Sequence, residues 1–112
     1  GISPNDAIRY PADSLDEMKK LALKKGYVFP YLIDESQSVA RAYGAVCTPD
    51  FFAYARQGSA WALAYRGRLD DSWKDASRVT RRELAGALDV ILAGGSVPAE
   101  QNSSMGCSIK WK

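Results

Sequence analysis

Cys47 and Cys107 are the two side chains of this sequence able to carry thiol chemistry, and the chain has no histidine. Without histidine there is no Ser-His-Asp triad, no Cys–His pair and no zinc site of the His type. The two cysteines lie far apart and do not form a Cys-x-x-Cys. Two thiols are also too few to close a structural zinc site. Three states fit them: two inert thiols, one disulfide, or a redox pair that meets in space. Cys47 opens the string Cys47-Thr48-Pro49-Asp50-Phe51-Phe52. An X-Pro bond is the common place where a cis peptide is cheap. Thr48-Pro49 is therefore a candidate cis step, and a chain turning sharply there can present backbone groups to a substrate. The plainer reading is a trans proline at the first position of a strand, where proline is tolerated.

Each thiol also has a bland reading. Free cysteine is usually a small buried apolar residue. No Lys or Arg adjoins Cys47 in sequence to favour its thiolate, and Asp50 would disfavour it if close in space. Cys107 sits between Gly106 and Ser108 in a polar tail, with Lys110 three residues on. A nearby cation favours thiolate, so Cys107 is the more exposed candidate, as a resolving thiol or as a partner for Cys47. In Tyr65-Arg66-Gly67-Arg68-Leu69-Asp70-Asp71, two arginines could hold an anionic group. The simpler alternative is a hairpin exit with Arg–Asp pairs on the surface. Asp70, Asp71 and Asp75 lack the alternating ligands, central glycine and closing glutamate of a calcium loop. Trp61, Trp73 and Trp111 read as packing residues or as patches that a missing part of the protein would cover.

The elements that must position these groups are legible from periodicity and caps. Ser14-Leu15-Asp16-Glu17 is a capping box. Leu15, Met18, Leu21 and Ala22 follow at helical spacing, and Gly26 stops the helix. Val28 to Ile33 reads as a strand in which Pro30 removes one ladder donor. Asp34 or Ser36 caps a short helix through Val39, Ala40 and Tyr43, ending at Gly44. Asp50 to Ala55 and Ala62 to Gly67 read as a hairpin around Arg56-Gln57-Gly58-Ser59-Ala60. Leu63 and Tyr65 share one face of its second strand, with Ala62, Ala64 and Arg66 on the other. Thr80-Arg81-Arg82-Glu83 is another capping box, and Leu84, Ala87, Leu88, Ile91 and Leu92 form a helical face that ends at Gly94-Gly95. A strand–helix–strand crossover followed by a hairpin and a helix makes an α/β fold, a mixed sheet flanked by helices. Residues 1–95 read as the domain and residues 96–112 as a C-terminal tail.

The 112 residues are 46% hydrophobic and 25% charged, with a net charge of +2. These totals bound a single domain of ordinary composition. The basic residues are scattered among acidic ones, without the basic, aromatic-interleaved stripe that nucleic-acid binding wants. No apolar run approaches the length of a membrane span. Nor do the first residues read as a signal peptide. Gly1-Ile2-Ser3 reads as a strand end, so the sequence reads as a fragment or processed form.

Several strings resemble thioredoxin-like proteins of the peroxiredoxin-related group, the alkyl hydroperoxide reductase and thiol-specific antioxidant type. They are Ile2-Ser3-Pro4-Asn5-Asp6, Tyr10-Pro11-Ala12-Asp13-Ser14, Phe29 to Gln37, Ala40 to Ala45, Cys47 to Phe51, Tyr65 to Asp71 and Gly106 to Trp111. The resemblance covers nearly the whole chain in order. It implies a thioredoxin-like fold lacking its N-terminal strand and the helix that bears the redox cysteine. It implies thiol–disulfide or peroxide-reducing chemistry in the intact protein, with a thiol partner as electron donor and no metal or organic cofactor. Thr48 and Pro49 would be the cis-proline loop that faces the substrate, and Cys47 and Cys107 auxiliary thiols. A sheet cut beside its central strand exposes unpaired backbone and an apolar face. The competing expectation is therefore a non-catalytic module that pairs through its open edge with a partner strand or a second copy.

Overall fold

The computed structural model describes residues 1–112 as a small α/β fold with three α-helices and three two-stranded sheets. The chain forms two compact units, residues 1–46 with 108–112, and residues 47–107. No helix is long and apolar enough to cross a membrane.

In the first unit, β1 (Ile2–Ser3) pairs in parallel with β2 (Leu32–Ile33). The strand expected from Val28 is confined to Leu32 and Ile33. Pro30 lacks the N–H to extend the ladder, and Tyr27, Phe29 and Tyr31 instead cluster with ring centroids 4.6–6.5 Å apart, Tyr27 stacked on Phe29 and Tyr31 edge-on to both. Helix α1 (Leu15–Lys25) starts where expected: the Ser14 hydroxyl accepts the Glu17 N–H. The reciprocal half of the box is not made, because the Glu17 carboxylate pairs with Lys20. Gly26 closes the helix in the left-handed region at φ 63°. Helix α2 (Ser38–Tyr43) has Gln37 at its N-cap, without a side-chain cap bond, where Asp34 or Ser36 was expected; those two act from outside the cap position. The Asp34 carboxylate accepts the Ala40 N–H at 2.9 Å, and the Ser36 hydroxyl accepts the Ser38 N–H.

Gln37 closes this unit. It is 2% exposed and sits at φ 62°. Its amide nitrogen donates to the carbonyls of Pro4 and Lys110, and its amide oxygen accepts the Lys112 N–H. Asn5 adds a second stitch by accepting the Lys110 N–H. These bonds place Ile109 among the buried residues.

The second unit is built on a hairpin. Strands β4 (Phe51–Gln57) and β5 (Ala60–Gly67) pair antiparallel around Gly58-Ser59, a tighter turn than expected. Gly58 supplies the positive φ that this turn needs. The expected alternation on β5 fails at one place. Ala53 pairs with Tyr65 but Tyr54 pairs with Leu63, a bulge at Ala64. The extra residue turns Leu63 outward and leaves Tyr65 buried. Ala53, Tyr65 and Ala87 form the core, packed by Leu84, Ile91 and Val97. Leu88 and Leu92, expected on the buried face of α3 (Glu83–Leu92), are exposed. The Thr80 box does not form either. Helix α3 starts at Glu83 without a side-chain cap, because Thr80 gives its N–H and hydroxyl to Asp71. Those bonds hold the exposed Asp71 carboxyl down at about 2.

Residues 96–107 are an ordered part of this unit. The Gln101 side chain accepts the Arg66 N–H and donates to the Ala64 carbonyl, filling the place a third strand would take beside the bulge. Ser104 donates to Asp50 and to the Gly67 carbonyl. The sheets are thus three separate pairs, where one mixed sheet was expected. Four of the six strands are two residues long and offer too little ladder to join further.

Candidate functional site

Cys47 and Thr48 are the two residues of β3, and β3 pairs with β6 (Cys107–Ser108). Both candidate thiols therefore lie on one strand pair, and both are free. The Thr48 hydroxyl donates to the Cys107 carbonyl at 3.5 Å. The Thr48–Pro49 peptide is cis, as the sequence suggested. Gly106 packs so closely on this step that a Cβ there would lie 2.7 Å from the Thr48 carbonyl carbon and 3.1 Å from Pro49 Cδ. Cys107 is thus held in a strand and not in a loose tail, and its side remains exposed.

Cys47 is half-buried, and its thiol donates to the Pro49 carbonyl at 3.4 Å. Its pKa is raised, first by burial and then by the Asp50 carboxylate, with Arg66 acting in the opposite direction. The Asp50 effect was legible in sequence. The Arg66 effect was not, because the hairpin brings that residue in from 19 positions away; Arg66 ion-pairs with Asp50 at 3.3 Å. The thiol form of Cys47 is therefore favoured at neutral pH, and thiolate is the reactive form. We expect iodoacetamide to alkylate Cys47 more slowly at pH 8 than it alkylates a free cysteine derivative. Asp50→Asn, by removing one raising charge, should speed that reaction several-fold. An unchanged rate, followed by mass spectrometry of the Cys47 peptide, would show that Asp50 does not act on the thiol.

Beside Pro49 lies a half-open groove of about 330 Å³. Its apolar wall includes Pro49, Phe51, Leu69, Trp73 and Met105, and Arg68 and Lys74 contribute positive charge. The two arginines singled out in sequence are divided: Arg66 goes to Asp50, and Arg68 to Glu83. Asp75 accepts from Ser77 at a short 3-10 turn and, like Asp71, is committed locally. The groove was not foreseen. Its walls come from the start of β4, the exit of β5 and residue 105, and no local pattern links these.

No protein-family model matches the chain, and no curated protein matches it. Two solved structures are similar over 99% of it. One is an uncharacterized conserved protein from Geobacillus kaustophilus, 51% identical, with a TM-score of 0.89. The other is a hypothetical protein from Sinorhizobium meliloti 1021, 44% identical, with a TM-score of 0.87. The chain spans 58% and 60% of their respective lengths.

Proposed function

We propose that this chain is the substrate-facing part of a thioredoxin-like thiol oxidoreductase of the redoxin type. The observation that carries the reading is the placement of both free thiols on the β3–β6 pair, next to Thr48, Pro49 and a groove. Thr48 and Pro49 shape the substrate side. Cys47 and Cys107 are auxiliary thiols, since the raised pKa of Cys47 makes it a slow nucleophile at neutral pH. The substrate is a peroxide or a protein disulfide. With hydrogen peroxide, two thiols lose two protons and two electrons, one S–S bond forms, and the O–O bond breaks as the peroxide takes up both to give two waters.

The test is an intact-mass thiol count on the folded chain before and after limiting hydrogen peroxide, with alkylation to trap free thiols. The expected result is loss of both thiols with a gain of one intramolecular link. Two thiols left unchanged would remove the redox reading. A second reading then takes its place, a non-catalytic module that pairs by strand addition. It is favoured by the short β1–β2 ladder, whose Ile2 and Leu32 are exposed, and by Val28 of the same unit, which is 99% exposed.

A further inference from the structure

The groove beside Pro49 has a charge pattern that its neighbouring thiols do not use. Arg68 lines it and is half-buried. Its Nε and Nη2 both donate to one oxygen of Glu83, Oε1. An arginine–carboxylate pair in fork geometry would engage both oxygens. Here the second oxygen, Oε2, is buried without a hydrogen-bond partner. Arg68 Nη1 likewise has no acceptor, since the side-chain bonds of Arg68 all go to Oε1. Lys74 also lines the groove and makes no ion pair; its ammonium lies 5.0 Å from the centre of the Trp73 ring. The one acidic residue of the lining, Asp70, turns an oxygen onto the Ser72 N–H. The groove therefore combines an apolar wall with two cationic groups that retain unused donors and with one carboxylate, Asp70, bonded to backbone. Its volume of about 330 Å³ is at the small end of the range for small-molecule sites.

We propose that this groove binds a small amphipathic carboxylate. The apolar chain lies against Leu69, Trp73 and Met105, and the carboxylate is shared between Arg68 Nη1 and Lys74. An acceptor there completes the half-used guanidinium and gives Lys74 a partner. An apolar body with a few convergent polar groups is the usual composition of a small-molecule site. The inference goes beyond the redox reading and does not depend on it, because neither thiol takes part.

The test is a fluorescence titration of the 112-residue chain with octanoate, alongside octylammonium and octanamide, which keep the same apolar chain. The expected result is a saturable change with octanoate. That change should disappear in Trp73→Phe, which assigns it to the groove. Lys74→Glu should weaken binding by about tenfold or more, as loss of a charge-assisted bond does. Lys74 is exposed, so this variant keeps the fold, and circular dichroism verifies it. Cys47→Ser should bind octanoate as the parent does, which separates this result from the fate of the redox reading. Equal binding of octylammonium overturns the proposal, and so does an unchanged affinity in Lys74→Glu. Equal binding of octanamide also overturns it, in favour of an apolar occupant such as an uncharged stretch of polypeptide. Failure of octanoate to saturate overturns it outright.

Discussion

Gln37→Ala should lower the stability of the folded chain by about 2–5 kcal/mol, one of the two largest single-residue effects expected here. Truncation removes no large apolar surface. It strips partners from the carbonyl of Pro4 and the N–H of Lys112, and takes one of two donors from the Lys110 carbonyl, which keeps the Asp6 N–H. A buried polar group left without a partner costs about 1–3 kcal/mol. Set against a total stability of about 5–15 kcal/mol for a domain, that is a large fraction. Two companion variants separate the causes. Gln37→Gly loses the same amide but relieves the left-handed backbone, which costs a non-glycine residue about 1–2 kcal/mol. It should therefore be less damaging than Gln37→Ala. Gln37→Glu keeps an acceptor for Lys112 but places a carboxylate against two carbonyl oxygens. Its folded-state pKa must rise above the unfolded value of about 4.3. Stability should then be regained as pH falls toward that value and lost as pH rises through the folded pKa. Urea unfolding at several pH values reads all three. A Gln37→Ala midpoint equal to the parent's would mean that water satisfies these groups.

Gly106→Ala should cost about 1–3 kcal/mol by overpacking. The added Cβ would collide with the carbonyl group of Thr48, which is strand backbone and has no rotamer by which to yield. The relief must come from moving β6 away from β3, so amide exchange at Thr48 and Cys107 should accelerate together. Gly86 supplies the control. It lies inside α3 with open space where its Cβ would go, so Gly86→Ala should stabilise by about 0.5–1 kcal/mol. Equal effects of the two substitutions in urea unfolding would refute the steric argument.

What could be read from the sequence was local. The Ser14 cap, Gly26, Gly44 and the hairpin around Gly58 depend on neighbours within a few residues, and they form. The Thr80 box fails because its hydroxyl has a better acceptor in Asp71, nine positions back, which no local pattern reveals. The shared face of Leu63 and Tyr65 fails because one bulge at Ala64 inverts every later side chain. Gln37 carried no local signal, because its partners lie 33 to 75 positions away. The candidate site divides in the same way. Asp50 beside Cys47 was visible from three residues away, whereas Arg66, the Pro49 groove and the one-sided Arg68–Glu83 pair depend on the hairpin.

The placement of residues 108–112 with residues 1–46 has a consequence for the order of synthesis. A nascent chain emerges from its N-terminus, so all the residues of the 47–107 unit are available before Lys110 and Lys112 exist. Until those two leave the ribosome, the Gln37 amide has lost two of its three partners and Ile109 is missing from its core. Of the two units, the one that begins earlier is therefore the one completed later. For that interval Gln37 and Asn5 stand without the terminal segment that bonds to them, and that is when this unit is most exposed to wrong partners.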